Sequence, residues 1–128
     1  MNFLARQNMA SNYQNIGSES KVMGASPHQL VDILFDELAI KMDESAQFLE
    51  AGDFSRGIAC KSKALKIVNG LQASLDFENG GELAHALMSI YIEVSKRLNH
   101  TPVEELAQQI RSARAIVSEI ASAWKAVG

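Results

Sequence analysis

Between residues 103 and 127 the chain places Val103, Leu106, Ile110, Ala113, Val117, Ile120, Trp124 and Val127 three and four residues apart. That rhythm keeps all eight side chains on one side of an α-helix. No glycine or proline interrupts it. At 1.5 Å per residue, the helix would run roughly 40 Å. A stripe of that length is unstable alone in water and must be buried against other helices. The rest of the chain therefore has to supply them.

Three further segments do. The first carries Val31, Leu34, Phe35, Leu38, Met42, Ala46 and Leu49. Ser26-Pro27-His28-Gln29 precedes it as a capping box with proline at the first helical position. Ala51-Gly52 closes it, with Gly52 placed to take a left-handed C-terminal conformation. The second begins at the N-cap Asp53 and carries Ile58, Cys60, Leu65, Ile67, Val68, Leu71 and Leu75. Its late Gly70 either weakens the helix or permits a close helix contact. In the third, Leu83, Leu87, Ile90, Tyr91, Val94 and Leu98 form the stripe, with Asn79 or Gly80 leading in. Thr101-Pro102-Val103-Glu104 reads as a second capping box, at the start of the fourth helix.

Between the second and third segments the period stops, at Ser74-Leu75-Asp76-Phe77-Glu78-Asn79-Gly80-Gly81. Asp, Asn and paired glycines favour turns there. The connections at 51–53 and 99–101 are short and force antiparallel neighbours. The expected fold is all-α: an antiparallel up-down four-helix bundle with helices at about 26–51, 53–75, 81–99 and 101–127. Residues 1–25 would form a partly ordered N-terminal arm or short helix. That segment is polar, yet Tyr13 and Ile16 are apolar anchors within it. It reads as a frayed terminus or as a mobile arm that docks through those two residues.

The 128 residues carry a formal net charge of −3, which argues against a general nucleic-acid binder. Arg56, Lys61, Lys63 and Lys66 lie close together, a grouping that is most often a solvated face. A single cysteine, Cys60, excludes an internal disulfide, which fits a reducing compartment. No stretch approaches the ~20 apolar residues of a membrane span. The expectation is a soluble cytoplasmic protein without membrane insertion.

Catalysis finds little support. Glu82-Leu83-Ala84-His85 has the Glu-x-x-His spacing of di-iron bundles. Those sites need two such motifs and inward-facing glutamates from the other helices, and neither His28 nor His100 has a Glu three residues before it. Glu82 reads better as a favourable charge at a helix start. Cys60 has no second cysteine to pair with, no serine sits in a Gly-x-Ser-x-Gly turn, and Gly80-Gly81 is not followed by a P-loop lysine. The expectation is no enzyme, cofactor or metal. Apolar surplus is what remains: Leu30, Ile33, Ile40, Phe48, Met88, Ile92 and Ile116 lie beyond the simplest seams. They either widen the core stripe or line a groove for a partner's amphipathic helix.

Several stretches resemble one family. Ala25-Ser26-Pro27-His28-Gln29-Leu30-Val31 with Leu34-Phe35-Asp36 is similar to the first helix of the flagellar export chaperone FliS family. Lys63-Ala64, Leu71 and Ser74-Leu75-Asp76 resemble its second helix and hinge. Gly80-Gly81-Glu82-Leu83-Ala84, Leu87, Tyr91 and Arg97-Leu98 resemble its third helix, Trp124 a tryptophan near the end of its fourth, and Tyr13-Gln14 a motif in its arm. The sequence departs at Ala86, where many members have Asn, and at Ile90-Tyr91-Ile92-Glu93-Val94, which replaces a more aromatic run. The resemblance implies a cytosolic chaperone that holds the disordered C-terminal segment of flagellin, prevents its premature polymerisation and assists its delivery to the export apparatus. It also admits an export-gate component or other flagellar regulators as partners, and a monomer or weak dimer. Together with the apolar surplus, it makes Tyr13, Ile16, Leu30, Ile33, Leu75, Leu87 and Tyr91 the expected partner contacts. Leu30, Ile33, Leu75 and Leu87 would supply apolar area, and the arm residues Tyr13 and Ile16 would cover the client surface until displaced. The alternatives are a helical adaptor or regulator with another protein client, and a metal-dependent bundle built on Glu82 and His85.

Overall fold

The computed structural model describes residues 24–127. Four helices make up the chain there: α1 (Pro27–Glu50), α2 (Phe54–Ala73), α3 (Phe77–Asn99) and α4 (Val103–Val127). Among the described residues there is no strand. Each helix packs on the next in sequence, and α4 closes the ring against α1. Tyr13 and Ile16 lie outside the described residues.

Local chemistry sets the helix ends. The Ser26 hydroxyl accepts from the Gln29 amide at 3.1 Å, and the Gln29 side chain accepts from the Ser26 amide at 3.0 Å. This is the expected capping box, with Pro27 at the first position. Gly52 has φ +82°, as a left-handed C-terminal residue does. Asp53 then caps α2 by accepting from Arg56 N at 3.2 Å.

Two ends differ from expectation. The Thr101 hydroxyl donates back to the Arg97 carbonyl at 2.6 Å, so it serves the end of α3, and α4 starts at Val103. And α3 starts at Phe77, before the expected 81, because Asp76 is its N-cap. A break then follows at Gly81, whose φ of 51° and ψ of −129° are not helical.

Contacts along α1 run in opposite order on both of its neighbours. Glu44 approaches Cys60 and Ser45 bonds Gly57 on α2. On α4, Asp32 pairs with Lys125, Asp43 with Arg114, and Glu50 with Arg111. Both neighbours are therefore antiparallel to α1. Both seams of α1 are more extensive than the two that α3 makes, and α1 buries nine residues, against four on α4. Leu30 is one of them at 0% exposure, so the surplus leucine belongs to the core. Ala25, just before the helix, is buried as well. Burying a Leu, Ile or Phe of this kind is worth about 1.5–3 kcal/mol.

The core runs through all four stripes: Phe35, Leu38 and Met42 of α1, Ile67 and Val68 of α2, Val94 and Leu98 of α3, and Ile110 and Val117 of α4. Expected stripe residues left exposed are Ile58, Leu83, Val103 and Val127.

Candidate client groove

At the end of the bundle where α2 gives way to α3, the four helices leave a groove of about 180 Å³. Leu71, Ser74 and Leu75 form one wall, from α2 and the turn after it. Leu83, Ala84, Leu87 and Tyr91 of α3 form the other. Val31 of α1 and Trp124 of α4 also line it, and Asp76, Asn79 and Gly80 add polar groups and backbone.

The turn that shapes the groove is held by Asp76. Its carboxylate accepts from Glu78 N at 3.1 Å, Asn79 N at 3.2 Å and Asn79 Nδ2 at 2.8 Å. These bonds, the Asn79 side chain first, hold its carboxyl below the ordinary aspartate value. On the α2 side, Ser74 donates its hydroxyl to the Gly70 carbonyl at 2.8 Å. Leu83 lies beyond the break at Gly81, at 51% exposure. Exposing half a leucine in a concave, mostly apolar site is what a partner surface requires.

A chain of aromatic rings supports the groove. The Trp124 ring meets Phe35 edge-on at 6.3 Å and 82°, and Phe35 meets Tyr91 at 6.5 Å. His28 stacks on Trp124 at 4.7 Å and 7°.

Of the expected contacts, the fold brings Leu75, Leu87 and Tyr91 together here. Ile33 is half-buried against the core, outside the groove lining. Leu30 is fully buried and presents nothing to a partner in this conformation. Val31, Leu71, Leu83, Ala84 and Trp124 line the groove without having been singled out for it. All of them stand in apolar stripes or family-like stretches of the sequence, but a stripe does not reveal which of its residues a groove exposes.

The other candidates resolve differently. His85 lies against the Phe77 ring at 4.8 Å. Among the described residues, no three His, Cys, Asp or Glu side chains gather where they could hold a metal. Burial, and then the nearby Glu44 charge, pushes the Cys60 thiol up from its ordinary value, which makes it a poor nucleophile. A second, more polar groove of about 400 Å³ is lined by Asn69 and Gln72 of α2, by Ile92, Ser95, Lys96 and Asn99 of α3, and by His100. No helix among the described residues is long and apolar enough to cross a membrane.

A helical bundle with a preformed apolar groove has the form of a binding module. Residues 9–128 match the family model described as "Flagellar protein FliS". The flagellar secretion chaperone FliS of Salmonella typhimurium is 40% identical over 116 residues, which covers 90% of this chain and 86% of that protein. The flagellar secretion chaperone FliS of Escherichia coli is 34% identical over 88% of this chain and 84% of its own length. FliSB of Pseudomonas aeruginosa is 27% identical over 90% and 91%. The chain belongs to the FliS family of flagellar secretion chaperones.

Proposed function

We propose that this protein binds the disordered C-terminal segment of flagellin in the cytoplasm, prevents its premature polymerisation and assists its delivery to the flagellar export apparatus. The observation that carries this reading is the apolar groove at the α2–α3 turn, with Leu83 half exposed beside Leu75, Leu87 and Tyr91. A segment that folds on binding needs such an apolar track, because contact area has to offset the cost of ordering it. An amphipathic helix of the client would insert the apolar side chains of one face, three and four residues apart, there. The arm residues Tyr13 and Ile16 would cover the groove until the client displaces them. An export-gate component or another flagellar regulator would then meet the loaded chaperone, itself a monomer or weak dimer.

The test mixes the purified protein with flagellin, with and without the flagellin tail. Binding that requires the tail is expected. Leu83→Glu should weaken it at least roughly tenfold, since a charge would enter an apolar contact. Circular dichroism should stay unchanged, because Leu83 is not part of the core. Equal binding with and without the tail, or no binding, would sink the reading.

A further inference from the structure

The end of α4 is held unusually. Its fully buried residues are Leu106, Ile110, Ala113 and Val117, and none lies beyond Val117. Past that point, Ile120, Ala121 and Trp124 are only partly buried, and Val127 is 70% exposed. Yet Trp124 from this stretch lines the groove. Core burial alone does not fix that part of the lining.

A reciprocal clasp with the start of α1 does. Trp124 donates its indole Nε1–H to the His28 carbonyl at 3.0 Å. His28 returns a bond from Nε2 to the Trp124 carbonyl at 2.9 Å. A carbonyl only accepts, so Nε2 carries the proton. The Trp124 carbonyl is one of the last four of its helix, which have no partner within the helix, and His28 supplies one. The two rings stack nearly parallel between these bonds. Lys125 adds ion pairs to Asp32 at 2.6 Å and Asp36 at 3.8 Å, but exposed pairs of this kind contribute little.

We infer that His28 is a positioning residue for the client groove, acting through Trp124. It fixes the indole and the last turn of α4 before a client arrives, so that the client does not have to order them itself. This inference rests on the groove being the client site.

Trp124 is the only tryptophan in the chain, so indole emission reports this place alone. His28→Ala should move the emission to longer wavelength as the indole meets more water. Amide exchange over residues 118–127 should become roughly tenfold faster or more. Affinity for the flagellin tail should fall roughly tenfold, the effect of one lost part-buried bond and its stack. His28→Gln keeps a donor near the Nε2 position and should recover most of the affinity. Should His28→Ala not fold, Trp124→Phe keeps a ring but removes the indole donor, and the same exchange and affinity losses are expected. Unchanged emission, exchange and affinity in His28→Ala overturn the inference, and so do losses in His28→Ala that His28→Gln does not recover. If the unmodified protein binds no tail, the proposed client falls, while emission and exchange still decide the clasp.

Discussion

Gly57 marks a close approach of α2 to α1. A Cβ built there would sit 2.6 Å from Leu49 Cγ and 2.7 Å from Leu49 Cδ2. Beside it, Ser45 donates its hydroxyl to the Gly57 carbonyl at 2.7 Å in a buried setting. Leu49 is itself in the core, so it has little room to yield. Overpacking should therefore cost Gly57→Ala about 1–3 kcal/mol. The ~1 kcal/mol that alanine gains in helix propensity offsets part of this, so the net loss of stability is up to about 2 kcal/mol. A lower urea midpoint with an unchanged slope would show it, and an unchanged or higher midpoint would contradict it. Cys60 lies one turn further along α2, its carbon-like sulfur packed in the same seam, so it serves there as a small apolar residue.

At the scale of elements, the start of α3 decides the shape of the groove. Asp76→Ala should cost about 1 kcal/mol, the usual value of an N-cap. Gly81→Ala puts an L-residue at a φ of 51° and ψ of −129°, a region that only glycine tolerates well. The added Cβ meets nothing within 4 Å, so the cost is conformational, about 1–3 kcal/mol. Relief of that strain would redirect Leu83, so tail binding should weaken along with stability, and a titration on the same variant checks both. Much of this architecture was legible in the sequence. The four periodic stripes, the Ser26 cap, Gly52 and Asp53 are local chemistry, which needs no knowledge of neighbours. For Leu30 the sequence left core and groove both open, because periodicity gives a stripe but not how extensively the neighbours cover it, and α1 has the two most extensive seams. Thr101 was misleading because a hydroxyl between two helices can serve either one. In the groove, Leu75, Leu87 and Tyr91 could be named in advance. The joining of His28 to Trp124 across 96 residues could not, since only the closed ring of helices brings them together.

At the scale of the whole molecule, charge governs the pH range of stability. Hydrogen bonds from Arg111 hold Glu50 below its ordinary value, and bonds from Arg97 do the same for Glu93. With Asp76, these are groups whose folded value is depressed. Their contribution is present above the unfolded value of about 4 and is lost as pH falls through the folded one. Lys125 is raised by its bond to Asp32, so its contribution is present below about pH 10.4 and is lost as pH rises through the raised value. Melting temperature should be flat between about pH 5 and 9 and decline only gently outside it, because these groups are exposed and exposed pairs contribute little. A maximum at pH 3 would contradict this assignment. The two seams of α1 also differ in kind. Toward α2 it comes close at Gly57, beside Leu49, with Ser45 bonded to the Gly57 carbonyl and Cys60 buried near Glu44. Toward α4 it presents Asp32, Asp43 and Glu50 to Lys125, Arg114 and Arg111 at the protein surface. Sodium chloride screens the second seam and leaves the first alone, whereas sulfate strengthens apolar burial in both. Sodium chloride therefore loosens the hold of α1 on α4 alone, and only slightly since the pairs are exposed, whereas sulfate tightens both seams together.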